Sequence, residues 1–415
     1  MDKISISGYP YREARFAWAR HWGLPVAFFV LAFIVSLFIL DAPFSGQDEL
    51  MVLDRVQQAN HAISRLDIRT LANVFLYDYH PPARTLIAMP FVWLLGPTGI
   101  ALRLPNCILW GLVCACASVL GLRLGGLRTG LATGLLLAGS GLFDLFGMGH
   151  GHAGEALFIL GLLLLLTGRN HVDICTPDGR RIYTIGGMLI SAGFLFFTSI
   201  LPVAALYHLS FLVISLRPPV DYKKVLVQYA RTSVPFAAFY LLYYLYFLAL
   251  PMLLQDAPFG QWHQNVLRST MALPNVQSLL ENLQALNWYV LPWIPIPLLL
   301  IGMWEMSQCN RIGFWVTLPF GLLFCFYIRG MTGAHFFSYF CWTLPFAVSK
   351  INRTLNHGRF SSGVLLWVVL IILTGAWSYV GHVRSYSAEN YPNRLLFWSH
   401  GQVYWQNNLT SEHAY

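Results

Sequence analysis

Long apolar runs follow one another along almost the whole chain, separated by short polar segments. A helix that crosses a bilayer needs about 20 largely apolar residues, and sometimes about 17. Backbone groups in lipid must hydrogen-bond within their own segment, so these runs are predicted to be helices. The predicted crossings are 24–40, 104–122, 129–147, 155–168, 183–200, 201–216, 232–250, 287–304, 312–328, 336–349 and 362–380.

The composition excludes a soluble protein. Asp, Glu, Lys and Arg make up 11% of the chain, where soluble domains carry about 25%. The hydrophobic fraction is 56% and the mean hydropathy is +0.56, which is more apolar surface than a soluble chain of 415 residues could bury. The seven cysteines include no CxxC pair. We therefore predict an all-α polytopic membrane protein with one integral membrane domain, residues 1–415.

The scarce charges indicate the orientation in the membrane. The net charge of +8 comes from 26 basic and 18 acidic residues. Basic residues gather in the N-terminal segment 1–23 and in the loops 169–181, 217–231 and 350–359, a pattern typical of cytoplasmic segments. Segment 41–82 instead carries six acidic residues against three arginines, and we predict that it is a large first extracytoplasmic loop. Because no basic run is interleaved with a polar domain, nucleic-acid binding is excluded.

Segment 83–97 is apolar but short, and Pro90 interrupts it. If it crossed the membrane, every later loop would change sides and the three basic loops would face outward. We therefore predict that it is re-entrant or interfacial and adds no net crossing. This leaves about eleven net crossings, a transmembrane bundle over 83–380 and an extracytoplasmic tail over 381–415.

Two groups of acidic residues fall on the predicted outer face. Asp48 and Glu49 lie in the first loop, and Glu155 opens a later helix after His150 and His152. A carboxylate at a membrane edge is costly unless it is solvated or paired, and it can serve as a general base toward a hydroxyl. The alternatives are a helix N-terminus for Asp48 and Glu49, and a capped turn before Glu155. A divalent metal held by Asp48, His152 and Glu155 is a further alternative.

Three cationic candidates lie near the same face. His80 precedes Pro81 and Pro82, which fix an extended backbone. His80 and Arg84 could bind a lipid phosphate there, or Arg84 could extend to the interface without a ligand. Arg103 stands at a helix entry, where it could neutralise a phosphate or anchor that helix end.

Further along, His335 and Tyr339 lie beside aromatic residues on the predicted outer side. They are candidate substrate contacts, although aromatic belts are normal at membrane interfaces.

Taken in order, these residues resemble a pattern of the GT-C membrane glycosyltransferases, in particular the branch of protein O-mannosyltransferases and lipid A aminoarabinose transferases. The resemblance covers roughly residues 24–170, with a looser similarity from Arg329 to Phe346. Two departures are that the second acid is Glu where Asp is common, and that His replaces Lys before the two prolines. The motifs that carry it are Asp48-Glu49, His80-Pro81-Pro82, Arg103 and Glu155.

The resemblance implies the GT-C fold and an inverting glycosyltransferase that uses a polyprenyl-phosphate-linked sugar. Asp48 would be the catalytic base, with Glu155 as a second catalytic carboxylate that completes the acceptor site. His80, with Arg84 or Arg103, would bind the phosphate that leaves as the lipid monophosphate. Glu49, His150, His152, His335 and Tyr339 are the remaining predicted substrate contacts. No cofactor is required, and the acceptor is a glycan, a lipid or a protein.

Other classes remain open on the sequence. A transporter or flippase for a lipid-linked sugar would place charges inside helices and usually contain internal repeats, whereas the acids here cluster at one outer face. A lipid-linked glycan polymerase or ligase usually carries its basic residues in a large late outer loop. Arg268 is the only Lys or Arg in 251–286, which argues against this class. A membrane scaffold would not require the ordered polar residues. The predicted location is a bacterial inner membrane, with the site facing the periplasm or exterior.

Overall fold

The structure of the protein is a computed structural model. Every regular element in the described part of the chain is a helix, so the all-α prediction is confirmed there. The structure describes residues 17–37, 40, 47–76, 83–139, 154, 156–157, 160–161, 174–196, 201–216, 220–245, 296–309, 342–355, 367, 369–370 and 373.

Eleven helices are described, and they do not correspond one to one with the eleven predicted crossings, because three of them lie between the first two crossings. In chain order they are α1 Ala17–Ser36, α2 Gln47–Ser64, α3 Ile68–Leu76, α4 Ala83–Leu95, α5 Gly99–Gly125, α6 Leu127–Ala138, α7 Pro177–Phe196, α8 Leu201–Ser215, α9 Tyr222–Tyr243, α10 Ile296–Cys309 and α11 Leu344–Leu355.

Among the described helices, α5 is both long and apolar enough to cross a bilayer by itself. The segment Gly23–Ser36 and the helices α4 and α6 are apolar but shorter. Predicted crossings 155–168, 312–328 and 362–380 lie largely or wholly outside the described residues. The number of crossings therefore stays a prediction.

Helices α1, α5 and α6 form the first packed unit of the bundle. Small residues let these helices approach closely. A Cβ added at Gly134 of α6 would lie 2.5 Å from the ring of Phe28, and one at Gly111 of α5 would lie 2.8 Å from the ring of Phe29. The absence of a Cβ atom at these two glycines is thus what allows α1 to pack closely on both neighbours.

Helices α1 and α5 run antiparallel. The Cys107 thiol near the start of α5 lies 3.6 Å from the carbonyl oxygen of Ser36 at the end of α1. The segment that carries α2, α3 and α4 therefore begins and ends at the same end of this helix pair. At 1.5 Å per residue, the 13 residues of α4 span only about 20 Å. This length agrees with a segment 83–97 that does not cross, and the absence of a crossing there stays a prediction.

Helices α10 and α11 meet α5 and α6 at the opposite end of the bundle. The Ser349 hydroxyl donates to the carbonyl oxygen of Leu124 at 3.2 Å, and the Asn352 amide donates to the Thr129 hydroxyl at 2.9 Å. Lys350 and Arg353 thus lie at the same end as the turn between α5 and α6, with Arg123 in the last turn of α5 and Arg128 in the first turn of α6. A concentration of cations at one end is what the positive-inside rule expects of a cytoplasmic face.

Helices α7, α8 and α9 pack around a polar and aromatic centre. The Tyr183 hydroxyl lies 2.6 Å from Nδ1 of His208 and 2.6 Å from the Ser233 hydroxyl, so one side chain of each helix joins the network. The Tyr207 hydroxyl donates to the carbonyl oxygen of Tyr183 at 2.8 Å. Hydrogen bonds between buried polar groups of this kind fix the register of the helices that carry them.

Cysteine labelling tests the two ends of the bundle. We expect Gln57→Cys on the exposed face of α2 to react with a membrane-impermeant maleimide only in right-side-out vesicles. Lys223→Cys, at the exposed start of α9, should react only in inside-out vesicles, because it belongs to a basic segment. The wild-type chain provides the blank for the native cysteines. Labelling of both positions from the same side would overturn the predicted orientation.

Candidate active site

Helix α2 lies in the predicted outer loop and has one apolar face. The buried positions Val52, Leu53 and Val56 follow the three- and four-residue spacing of that face. They pack with Ala88 and Val92 of α4 and with the first turn of α5 in a small separate core. The loop helix is therefore fixed to the bundle by apolar packing of its own.

Glu49, in the first turn of α2, is fully buried on this apolar face. Its carboxylate accepts two hydrogen bonds from Arg103 of α5, from Nε to Oε1 at 2.9 Å and from Nη2 to Oε2 at 2.7 Å. The Arg103 side chain is 1% exposed. This is a bidentate, charge-assisted pair, the geometry in which Arg binds a carboxylate most strongly.

The pair joins residues that are 54 positions apart in the chain. Breaking such a buried pair by removing one partner costs about 3–5 kcal/mol, because the other charge is left uncompensated. The first turn of α2 is therefore held on the start of α5 by charge as well as by packing.

Asp48 directly precedes Glu49 in this same turn. Its backbone is helical, at the second residue of α2, and its side chain lies outside the described residues. Because the next residue is held by Arg103, the backbone that presents Asp48 at the edge of the bundle is firmly positioned. A catalytic group needs this support, since small misplacement of a reacting group can cost about 10²-fold in rate.

The other described acids of the first loop have structural partners. Asp54 accepts a hydrogen bond from the Gln58 amide at 2.8 Å. Asp67 caps α3, accepting from the Thr70 amide at 3.0 Å and the Thr70 hydroxyl at 2.6 Å. The hydroxyl bond above all, with the amide bond, lowers the pKa of Asp67. The cap is consequently present at neutral pH and is lost as the pH falls through that lowered pKa.

Arg84 lies at the second residue of α4 and is only 7% exposed. Helix α4 packs against both α2 and α5. Arg84 therefore brings a buried cation to the group of helices that also carries Asp48, Glu49 and Arg103.

The remaining predicted site residues, His80, His150, His152, Glu155, His335 and Tyr339, lie outside the described residues. The divalent-metal alternative rests on Asp48, His152 and Glu155, so it also stays a prediction. Within the part of the chain that the structure describes, no group of three His, Cys, Asp or Glu side chains is placed to bind a metal.

The prediction from the sequence had Glu49 and Arg103 as separate substrate contacts and did not include the ion pair between them. One signal was available for Glu49, which stands three, four and seven residues before Val52, Leu53 and Val56 and therefore on the buried face. No comparable signal identified Arg103 as its partner. A second buried acid, Glu305 of α10, was also missed; it forms ion pairs with Lys350 and Arg353 of α11.

Comparisons with known proteins identify a shared fold. No protein-family model and no curated protein matches the sequence. Among solved structures, the chain is similar to the archaeal oligosaccharyltransferase AglB from Archaeoglobus fulgidus in complex with an inhibitory peptide and a dolichol-phosphate, with a TM-score of 0.50 and 13% identity over 95% of this chain. An Archaeoglobus fulgidus oligosaccharyltransferase in the apo form gives a TM-score of 0.46 and 14% identity over 88% of this chain.

The chain spans 60% and 57% of the lengths of these two proteins. At this identity the likeness shows a shared fold and nothing further about this chain. The finer placement among the protein O-mannosyltransferases and lipid A aminoarabinose transferases stays a prediction.

Proposed function

We propose that this protein is an inverting glycosyltransferase that moves a sugar from a polyprenyl-phosphate-linked donor to an acceptor outside the cytoplasm. The observation that carries the proposal is the Glu49–Arg103 pair, which fixes the turn bearing Asp48 at one end of the bundle. The shared fold supports it, because the solved AglB structure contains a dolichol-phosphate and a peptide. A lipid-linked donor and a glycan, lipid or protein acceptor are the partners that we assign to this chain.

In the proposed reaction, Asp48 takes the proton from an acceptor hydroxyl while that oxygen attacks the anomeric carbon of the sugar. The bond between this carbon and the phosphate oxygen breaks, and polyprenyl monophosphate leaves with the bonding electron pair. Attack opposite the leaving group inverts the anomeric centre. Charge develops on the departing phosphate, so cations must lie beside it, and we assign that role to His80 and Arg84.

Arg103 has a different role in this proposal. Two of its guanidinium nitrogens donate to Glu49, so we assign it to positioning the turn that carries Asp48. Glu155, with His150 and His152, would bind the acceptor, and His335 and Tyr339 would contact the donor. No resident metal is required; a cation at Asp48, His152 and Glu155 would instead make turnover sensitive to EDTA.

Mass spectrometry of cell-envelope glycans tests the function. Cells that lack the protein should lose one sugar substituent and accumulate its lipid-linked donor, and expression of the wild-type chain should restore the substituent. An unchanged glycan profile would contradict the proposal.

A flippase would give the same cellular result, so a second assay separates the two. The purified protein in detergent micelles, with the accumulated donor and an acceptor extract, should release polyprenyl monophosphate. Micelles have no leaflets to cross, and a flippase would leave the donor intact there. We place the enzyme in a bacterial inner membrane with its site on the outer face.

A further inference from the structure

A groove between α10 and α11 lies at the end of the bundle opposite to the candidate active site. Its volume is about 550 Å³, within the range of about 300–1,000 Å³ that is usual for ligand sites. It is lined by Leu300, Ile301 and Trp304 of α10 and by Lys350, Ile351 and Leu355 of α11, with Thr354 beside them.

The two helices that form the groove run parallel and are firmly joined. The Thr343 hydroxyl donates to the carbonyl oxygen of Leu299 at 3.3 Å. A Cβ at Gly302 would collide with the Thr343 backbone, so the helices are in close contact there. Further along, Glu305 forms ion pairs with Lys350 and Arg353. The groove therefore runs along the surface of two closely packed helices and is open on one side.

The chemistry of the groove has two parts. Leu300 and Trp304 are 60% and 65% exposed and offer an apolar wall. At the basic end, the Lys350 ammonium lies 3.7 Å from the nearer Glu305 oxygen, and its side chain is 46% exposed. That separation is longer than a hydrogen bond, so the donors of Lys350 remain able to bind another acceptor.

The charge at this end favours an anion. Lys350 and Arg353 lie here against the carboxylate of Glu305, and α11 also contacts the ends of α5 and α6 that carry Arg123 and Arg128. Trp304 beside them is typical of a residue at a membrane interface. A ligand that fits must therefore join a long apolar part to an anionic end at the level of the bilayer surface.

We propose that this groove binds an anionic phospholipid of the cytoplasmic leaflet, with an acyl chain along Leu300 and Trp304 and its phosphate on the Lys350 ammonium. Basic residues at the cytoplasmic surface attract anionic lipids, and Lys serves as a point charge for phosphate. The site lies apart from Asp48 and does not depend on the proposed glycosyl transfer.

Native mass spectrometry of the purified full chain tests the site, with dioleoyl phosphatidylglycerol and dioleoyl phosphatidylcholine as probes and no sugar donor present. The wild-type chain should retain phosphatidylglycerol about fivefold more tightly than phosphatidylcholine. Lys350→Gln should remove this preference, whereas Lys350→Arg should keep it. Lys223→Gln is the matched control, because it removes one exposed cation from another helix and should leave the preference intact.

Leu300→Asn tests the apolar wall without disturbing the core, since this side chain is largely exposed. It should weaken the retention of both lipids. Equal binding of the two lipids by the wild-type chain, or full phosphatidylglycerol preference in Lys350→Gln, would overturn the proposal. A groove that binds polyprenyl phosphate but not phosphatidylglycerol would overturn it as well.

Discussion

Replacement of Asp48 by Asn is expected to reduce sugar transfer by about 10²- to 10⁴-fold, the contribution usual for a positioned general base. Asn keeps the size of the side chain and its preference for the start of a helix, but its neutral amide is not a base for the acceptor proton. The measurement is the initial rate at which the purified variant releases polyprenyl monophosphate. The melting temperature should stay close to that of the wild-type chain.

Asp54→Asn is the matched control for this experiment. It makes the same chemical change six residues further along α2, at an exposed residue that already bonds Gln58, and it should transfer sugar at nearly the wild-type rate. If Asp48→Asn turned over within tenfold of wild type, Asp48 would not be the base. A lower melting temperature in Asp48→Asn alone would instead show that the negative charge of Asp48 stabilises the start of α2.

Hydropathy predicted the positions of the helices well where apolar sequence and helix coincide. Helix α5 was predicted at 104–122 and extends over Gly99–Gly125. Its start is set by Thr98, whose hydroxyl accepts a hydrogen bond from the Ala101 amide at 3.2 Å. The apolar run thus predicted where the helix lies, and the polar N-cap determined the residue at which it begins.

Where a helix continues into charged residues, the prediction from hydropathy made the helix too short. Lys223, Lys224 and Arg231 were assigned to a loop, but they belong to α9, which begins at Tyr222 after the cap Asp221. Lys350 and Arg353 likewise extend α11 beyond its apolar part, since Glu305 of α10 compensates their charge. The compensating carboxylate lies in a distant part of the sequence, so the hydropathy of the segment itself does not predict that the helix continues.

The candidate site shows the same division between local and distant information. The spacing of Glu49 relative to Val52, Leu53 and Val56 was sufficient to predict its burial on α2. Its pairing with Arg103 was not predictable from spacing, because 54 residues separate the two and the packing of α2 on α5 brings them together.

Removal of either member of the Glu49–Arg103 pair is expected to destabilise the protein by about 3–5 kcal/mol, because the partner charge stays buried without compensation. Glu49→Gln and Arg103→Met should therefore unfold at lower temperature and lose most of their transfer activity. Thermal unfolding in detergent and the rate of polyprenyl monophosphate release are the two measurements. Arg65→Met, at the exposed residue that follows α2, removes the same charge and should change stability by no more than about 0.5 kcal/mol.

The double variant Glu49→Leu with Arg103→Met separates the two roles of Arg103. A buried ion pair can often be replaced by apolar residues of similar volume without loss of stability. If Arg103 only positions the turn of Asp48, the double variant should recover both the melting temperature and transfer to within about tenfold of wild type. A variant that regains its stability but remains inactive would contradict this role. Arg103 would then act directly on the donor phosphate, because packing alone would have restored the turn without restoring the reaction.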